Sequence, residues 1–145
     1  MLVKDIMTKD VGGIVPETTL KEAAHKMESL GVGFLPVCDG ERLTGVITDR
    51  DIVVRAVAEG KDPSKETVKN YMSPEIVWCF EDQKITEAAR MMEKKKVRRI
   101  LVMNHQKLLA GVVSLGDIAV YAEEPDTTSE LVTEVSRPAQ PKRGA

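Results

Sequence analysis

An internal repeat constrains this chain more than any other feature of its sequence. Residues 3–37 and 68–102 share ten identities over 35 aligned positions. One inserted residue later, "LTGVITDRDIVVRA" (43–56) aligns with "LAGVVSLGDIAVYA" (109–122), with seven of 14 positions identical. A solenoid needs at least three such units to bury a continuous core. Two copies therefore predict a tandem pair that folds together.

Both repeats show the same order of predicted elements. In the first, "ETTLKEAAHKMESLG" has helical periodicity, with Thr19 and Glu22 at capping-box spacing and Gly31 as terminator. The strands "VGFLPVC" and "LTGVIT" flank a turn, and "DRDIVVRAVAEG" predicts a second helix that ends at Gly60. The second repeat has a helix over 82–95, the strands "VRRILVM" and "LLAGVVS", and the helix "DIAVYAEE". With an initial strand in each, we predict an α/β fold of two β-α-β-β-α units.

The repeat boundaries predict the organisation of the chain. The first unit covers 1–60, a polar connector 61–67, the second unit 68–123 and a tail 124–145. We expect extended lead-ins, "VKDIMT" and "VKNYMS", before the units, which pack sheet against sheet about a pseudo-twofold axis. In the tail, "SELVTEVS" suits a short helix, but we expect loose order from Pro125 and disorder over the last eight residues.

Composition excludes several classes of function. A hydrophobic content of 42% and a charged content of 30% are typical of soluble globular proteins. A net charge of -2 gives no reason to bind nucleic acid or an anionic membrane. No apolar run approaches a membrane span, and the N-terminus lacks the apolar core of a signal peptide, so we expect a cytoplasmic protein. Without a nucleophile–base set, a metal-ligand cluster or a phosphate loop, we expect neither catalysis nor a bound metal.

The two cysteines, Cys38 and Cys79, lack the close spacing of a zinc motif. Free cysteines are usually buried small hydrophobes, which is the favoured interpretation here. A redox pair or a shared metal remains the alternative.

The motif [ST]-x-x-D occurs at the same place in each repeat, as Thr48 with Asp51 and as Ser114 with Asp117. It is a helix-capping signature, and the residues alone favour that interpretation. The same position also suits a ligand. A helix start attracts phosphate, and a carboxylate there accepts hydrogen bonds from ribose hydroxyls. The two interpretations do not exclude each other.

The ordered set "DIMT", "GVGFLPV", "GVITDRDI", then "NYMS", "VRRILV", "GVVSLGDI", resembles the CBS domain pair, or Bateman module, over residues 1–123. The resemblance implies a regulatory module that binds adenine nucleotides or adenosyl compounds in clefts between the units. AMP, ADP, ATP, a dinucleotide and S-adenosylmethionine all remain open as ligands. It also implies a homodimer and an unidentified protein partner. The alternative is a CBS dimer without ligand that acts as a protein-interaction module.

By this resemblance, Asp51 and Asp117 hold the ribose, with the hydroxyls of Thr48 and Ser114 beside them. Arg99 is the implied phosphate partner, and the alternative is a solvated strand charge.

The two sites implied by the resemblance are not equivalent. On a strand, Arg98 and Arg99 point to opposite faces. The first repeat has Gly33 and Phe34 at these positions and carries Arg50 inside "TDRD" instead.

Two further segments resemble the parts of the family that contact adenine. The implied lining consists of Gly12, Gly13 and Ile14 in one site and of Val77, Trp78 and Cys79 in the other. Trp78, the only tryptophan, either stacks on a base or fills the core.

The homodimer has a predicted surface as well. We expect apolar helical faces that need covering, formed by Ile52, Val53, Ala56, Ile118 and Tyr121.

Overall fold

Each lead-in segment packs with the other repeat, so the bodies of the fold do not follow the repeat boundaries. The computed structural model describes residues 1–9, 11–121 and 125–136. One body, the first-repeat body, contains the described residues from 11 to 76. The other, the second-repeat body, combines residues 1–9 with the described residues from 77 to 136.

The helices and strands follow one another in an α/β order. They are α1 (Val3–Ile6), α2 (Leu20–Leu30), β1 (Phe34–Asp39), β2 (Arg42–Thr48), a π-helix (Asp51–Val57), a 3-10 turn (Val68–Asn70), β3 (Trp78–Phe80), α3 (Ile85–Lys95), β4 (Arg99–Met103), β5 (Leu109–Ser114), α4 (Leu115–Tyr121) and α5 (Pro125–Ser136). The predicted mixture of helix and sheet in two repeats is confirmed. No helix within the described ranges combines the length and apolarity needed to cross a membrane.

The two sheets differ in their first strand. In the second-repeat body, β3 runs parallel to β4, and β4 pairs antiparallel with β5. In the first-repeat body, β1 and β2 form an antiparallel pair, and the preceding segment contributes only a parallel bridge from Ile14 to Val37. Gly12 has a φ of +67° and Pro16 lacks an N–H group, so neither residue suits a regular strand. The initial strand predicted for the first repeat is therefore reduced to one bridge.

Each body buries one face of its sheet beneath its long helix. In the first-repeat body, α2 packs onto β1 and β2; in the second-repeat body, α3 packs onto β4 and β5. The buried positions correspond between repeats, as the shared helical periodicity predicts. They include Leu20, Ala23, Met27, Leu35, Val37 and Ile47 in one body and Ile85, Ala88, Met92, Ile100, Val102 and Val113 in the other.

The helix ends follow the local signals in the sequence. The hydroxyl of Thr19 accepts the N–H of Glu22 at 3.1 Å, and Gly31 closes α2 with a φ of +65°. After the π-helix, Gly60 has a φ of +72°, where the sequence predicts the helix end.

The helix predicted after "GVIT" is present with a different pitch. The N–H of Ala58 donates to the carbonyl of Val53, five residues back, at 2.9 Å. Three consecutive β-branched residues, from Ile52 to Val54, lower the α-helical propensity of this segment. The tighter α-helix is therefore less favoured here than in α4.

The lead-ins are not extended, and that expectation is wrong. The first lead-in forms α1, and the second forms the 3-10 turn. After this helical turn, each lead-in joins the edge of a sheet. Thr8 then forms an antiparallel bridge with Val112, with N–H···O distances of 2.9 and 3.0 Å. Ser73 forms the matching bridge with Val46, at 2.8 and 3.0 Å.

The first glycine of the repeated motif makes this pairing possible. A Cβ on Gly111 would lie 2.6 Å from the carbonyl oxygen of Thr8, and a Cβ on Gly45 would lie 2.6 Å from that of Ser73. Both distances are far below van der Waals contact. The repeated glycine is therefore required for the approach of each lead-in.

The expectation of loose order from Pro125 is wrong for residues 125–136. These residues form α5, which packs against α3 with Leu131 and Val135 buried. The ammonium group of Lys96 also lies 3.7 Å from a carboxylate oxygen of Glu134. Pro125 suits the first turn of a helix, where its missing N–H is not needed. The last eight residues, predicted to be disordered, lie outside the described part of the chain.

We predict that Gly111→Ala lowers the free energy of unfolding by about 1–3 kcal/mol, since the new methyl group meets a backbone oxygen that cannot rotate away. Gly116→Ala is the control, because its Cβ would lie 3.6 Å from the Ser114 hydroxyl oxygen, an ordinary contact, within α4. That change should be neutral or stabilise by roughly 0.5–1 kcal/mol. Urea unfolding measures both variants, and equal effects would contradict the packing argument.

Candidate functional site

The repeated [ST]-x-x-D motif forms a reciprocal cap in both bodies. The carboxylate oxygen Oδ2 of Asp117 accepts the N–H of Ser114 at 2.9 Å, and the Ser114 hydroxyl oxygen accepts the N–H of Asp117 at 3.0 Å. Asp51 and Thr48 make the same two hydrogen bonds, at 2.9 and 3.1 Å. The capping interpretation is thus confirmed. In each case, capping occupies only one of the two carboxylate oxygens.

The second carboxylate oxygen differs between the two motifs. Among the described residues, no donor hydrogen-bonds Oδ1 of Asp117, whose side chain is half-buried. Oδ1 of Asp51 lies 3.9 Å from a guanidinium nitrogen of Arg55. Arg55 also donates to the carbonyl of Tyr71 and lies over its ring at 5.8 Å. Because Tyr121 stands where the first repeat has Arg55, only Asp51 has this neighbouring cation.

One face of the sheet in the second-repeat body gathers several of the predicted site residues. Arg99 pairs directly with Ser114, and Trp78 pairs with Leu101. Because side chains alternate along a strand, Arg99, Ser114 and Trp78 share the face opposite the core residue Ile100. Arg98 precedes β4, and its carbonyl accepts the N–H of Leu115 at 2.7 Å. The structure thus brings Arg99, rather than Arg98, to the face that carries Ser114.

The corresponding place in the first-repeat body is occupied by a neutral side chain. Phe34 pairs with Thr48, as Arg99 does with Ser114. A Cβ on Gly33 would lie 2.8 Å from a carboxylate oxygen of Asp49, so this acidic group fills the space beside the glycine. Arg50, the candidate cation of this repeat, is exposed, and its N–H donates to Asp49 at 2.8 Å. The two candidate sites therefore differ in charge.

The first segment predicted to line the base is only partly directed outward. The side chain of Ile14 is buried in the core. Its N–H donates to Pro36, and its carbonyl accepts the N–H of Cys38. Gly12 forms a left-handed turn, and Gly13 is exposed, with its carbonyl accepting the ammonium group of Lys26 at 3.3 Å. Of these three residues, Gly13 is the most exposed, and Gly12 is half-buried.

The second such segment alternates between core and surface. Cys79 is 1% exposed, and Val77 packs partly against the core while its carbonyl accepts the N–H of Leu101 at 3.0 Å. Trp78 is 38% exposed, which excludes the interpretation that it fills the core. Its ring therefore remains accessible for stacking.

Sequence reasoning missed the side chains around Trp78. Phe80 meets Trp78 edge-on with ring centroids 5.0 Å apart, and His105 stacks on Phe80 at 4.5 Å. Nε2 of His105 lies 2.7 Å from a carboxylate oxygen of Asp82, and this hydrogen bond holds the pKa of Asp82 below its ordinary value. Asp82 and His105 are 23 positions apart, so the sequence gives no local signal for the pair. Lys26 was also missed, because only a tertiary contact brings its ammonium group to the carbonyl of Gly13.

Both cysteines are free thiols. Burial, with a smaller effect of the Glu87 carboxylate, raises the pKa of Cys79 to about 11, and burial also raises the pKa of Cys38. The described residues include no group of three or more His, Cys, Asp or Glu side chains able to hold a metal ion. Cys79 is a core hydrophobe, as predicted, whereas Cys38 is half-buried.

The expected dimer surface needs correction. Ile52, Ala56 and Ile118 are buried in the cores of their bodies, so their assignment to an uncovered face is wrong. Their helices turn these positions inward against the sheets. The exposed large hydrophobic side chains of the π-helix and α4 are Val53, Val54, Val57, Val120 and Tyr121.

Comparisons with known proteins find matches over most of the chain. A family model described as the CBS domain matches residues 3–57 and again residues 68–124. The CBS domain-containing protein YhcV of Bacillus subtilis is 35% identical over 134 residues, which cover 92% of this chain and 94% of that protein.

Two solved structures share the fold. The crystal structure of Hypoxic Response Protein I with two coordinated zinc ions matches with a TM-score of 0.74 and 34% identity, covering 83% of this chain and 98% of that one. The CBS domain pair of protein MJ0100, in complex with 5'-methylthioadenosine and S-adenosyl-L-methionine, matches with a TM-score of 0.72 and 27% identity, covering 83% and 94%. The zinc of the former has no counterpart cluster among the residues described here.

We predict that a thiol reagent at pH 8 modifies Cys38 much faster than Cys79 in the folded protein. A thiol with a pKa of about 11 is thiolate at that pH in only about one molecule in a thousand, and Cys79 is also shielded from the reagent. Timed alkylation followed by peptide mass spectrometry measures both rates, and unfolding in urea should equalise them. Equal rates in the folded state would contradict the burial of Cys79.

Proposed function

Because the chain belongs to the CBS domain family, with two such domains in tandem, we propose that it is a regulatory module that binds an adenosyl ligand through the capping aspartates. The observation that carries the proposal is the divided use of the Asp117 carboxylate. Oδ2 closes the helix cap, while Oδ1 accepts no hydrogen bond from the described residues. A ribose presents two adjacent hydroxyl donors, which a partly exposed carboxylate oxygen accepts well. The adenosyl ligands of the MJ0100 domain pair, a 27% identical relative, support this class of compound.

The second-repeat body suits a phosphorylated ligand. Arg99 lies on the same sheet face as Ser114, directly across the antiparallel pair. A guanidinium group is a strong partner for a phosphate, because it donates in a bidentate geometry. Trp78, on the same face, offers an accessible ring for the base. We therefore assign AMP, ADP or ATP to this body.

The first-repeat body suits an adenosyl compound without phosphate. Phe34 stands where the second repeat has Arg99, and Arg55 competes for the carboxylate of Asp51. Without a guanidinium group at this position, a phosphate lacks a strong partner, whereas an uncharged adenosyl compound or the sulfonium of S-adenosylmethionine does not need one. The two sites would then select different ligands.

A protein-interaction dimer is the second candidate function. The observation that favours it is the row of exposed aliphatic side chains on the π-helix, including Val54 and Val57. Exposed apolar patches of this kind commonly mark protein–protein contacts.

We predict that Asp117→Ala removes the stabilisation by AMP. Loss of the cap should lower stability by about 1 kcal/mol with or without ligand. The additional stabilisation by AMP, near 2.7 kcal/mol for the wild type at a hundredfold excess over the dissociation constant, should disappear. Thr19→Ala is the matched control, because it also deletes a capping side chain but lies away from the motif. A melting series measures all three proteins, and equal AMP shifts in them would contradict the proposal.

Arginine variants test the phosphate assignment in the same series. We expect Arg99→Ala to reduce the shift caused by AMP and ATP while leaving that of adenosine unchanged, since only the phosphate loses its partner. Arg98→Ala, which alters the neighbouring cation before β4, should leave all three shifts unchanged. Equal losses in both variants would indicate a general effect of surface charge.

We also predict that the protein is a homodimer in solution, and that replacing Val54 and Val57 by Asp weakens it. Charges at these exposed positions would become desolvated in an interface, while the monomer fold should tolerate them. Light scattering at micromolar concentration measures the mass. A monomeric wild-type protein would contradict this prediction without affecting ligand binding.

A further inference from the structure

The helix α5 covers an apolar groove of the second-repeat body. The floor of this groove is formed by Ala89 and Met92 of α3 and by Ile118 of α4, all buried. From α5, Leu131 and Val135 pack into the same cluster. These two residues are four positions apart and therefore lie on one helical face. This groove therefore accepts two aliphatic side chains that lie four positions apart on a helix.

The first-repeat body repeats the floor of this groove. Ala24, Met27 and Ile52 occupy the positions equivalent to Ala89, Met92 and Ile118, with the same residue types. They line a cavity of about 490 Å³ between α2 and the π-helix, beside Val53, which is 57% exposed.

No described helix of the first-repeat body stands in the position of α5. After the π-helix, the chain turns into the connector, and the carbonyl of Pro63 accepts the N–H of Lys21 at the start of α2. The groove of the first-repeat body therefore has the lining of a helix-binding groove, but no described helix of that body occupies it.

The rims of the two grooves carry different charges. At the α5 groove, the ammonium group of Lys96 lies 3.7 Å from a carboxylate oxygen of Glu134 and bonds its carbonyl at 3.4 Å. The first repeat replaces Lys96 by Gly31 and Leu115 by Asp49, and it keeps an acidic residue, Glu28, at the remaining rim position. The rim has lost a cation and gained an anion, so it is acidic.

Acidic side chains already oppose each other where α5 docks. Glu93, the equivalent of Glu28, lines a space with Glu130 and Glu134. Burial, followed by the charges of these two residues, raises the pKa of Glu93. Without the cation of Lys96, a helix as acidic as α5 would meet uncompensated repulsion in the first-repeat groove.

We propose that the groove between α2 and the π-helix binds a basic amphipathic helix of a partner protein. This helix presents two aliphatic residues four positions apart, as Leu131 and Val135 are in α5. It carries Lys or Arg three positions after the first of them, where α5 has Glu134. The aliphatic pair packs on Ala24, Met27 and Ile52, and the basic residue faces Glu28 and Asp49. The inference goes beyond ligand binding and does not depend on it.

The test uses two labelled peptides and the full chain. One peptide has the sequence of residues 125–136, "PDTTSELVTEVS", and the other carries E130K and E134K. Fluorescence polarisation should show the basic peptide binding on the order of tenfold more tightly, since two repulsive contacts become attractive. Circular dichroism checks that both peptides have equal helicity. A third peptide, the basic one with Leu131→Asp and Val135→Asp, should not bind.

A variant of the groove completes the test. Gly31→Lys with Asp49→Leu gives the first repeat the rim residues of the second, and Lys96 itself adopts a φ of +54°, so a lysine is tolerated at this turn. The preference for the basic peptide should be lost or reversed. If the variant keeps the preference, the peptide binds elsewhere and the proposal fails.

Two other results would overturn the proposal. Equal affinity for the acidic and basic peptides would show that the rim charges do not select the helix. Failure of the basic peptide to bind, together with a loss of dimer mass in the groove variant, would show that a second copy of the chain covers the groove.

Discussion

The close approach of each lead-in to a glycine is the contact on which the rest of the fold depends. Gly45 and Gly111 admit a carbonyl oxygen to within 2.6 Å of where a Cβ would stand, and this closeness permits the antiparallel bridges to Ser73 and Thr8. Each bridge joins a lead-in to the strand that ends in the capping motif. Since the lead-in comes from the other repeat, neither body can be completed from a single repeat. The glycine and the aspartate of "GVITDRD" and "GVVSLGD" therefore serve one continuous piece of structure.

The capping motif allows its structural role and the proposed binding role to share one side chain. A carboxylate has two oxygens and about four acceptor directions, whereas the cap needs one N–H donor at 2.9 Å. The cap fixes the orientation of the aspartate before any ligand arrives, so little side-chain entropy remains to be lost on binding. Pre-orientation of this kind explains why a duplicated cap is a suitable starting point for a ligand site.

The sequence predicts those parts of the fold that depend on nearby residues. The Thr19 cap, the turn at Gly31 and the strand pairs follow from local signals, and so does the α/β order. Partners distant in sequence, such as the lead-ins and the pair Asp82–His105, have no local signal and were missed or misplaced. The burial of Ile52 and the docking of α5 depend on which face a helix turns toward its sheet, and periodicity alone does not determine that face. Of the candidate site, the sequence predicts the motif and its cap; the structure adds which side chains share a face.

Comparison of the repeats separates what the fold requires from what a surface selects. The apolar floor residues of α2 and α3 are the same in both bodies, while the rim differs in charge at two positions, where Lys96 corresponds to Gly31 and Leu115 to Asp49. Asp49 is an example of the second kind, because it lines the groove between α2 and the π-helix where the second repeat has Leu115. This acidic side chain is one reason for proposing a basic helix in that groove. The proposals for the two bodies follow from such differences: a basic helix for the first, through Glu28 and Asp49, and an anionic ligand for the second, through Arg99.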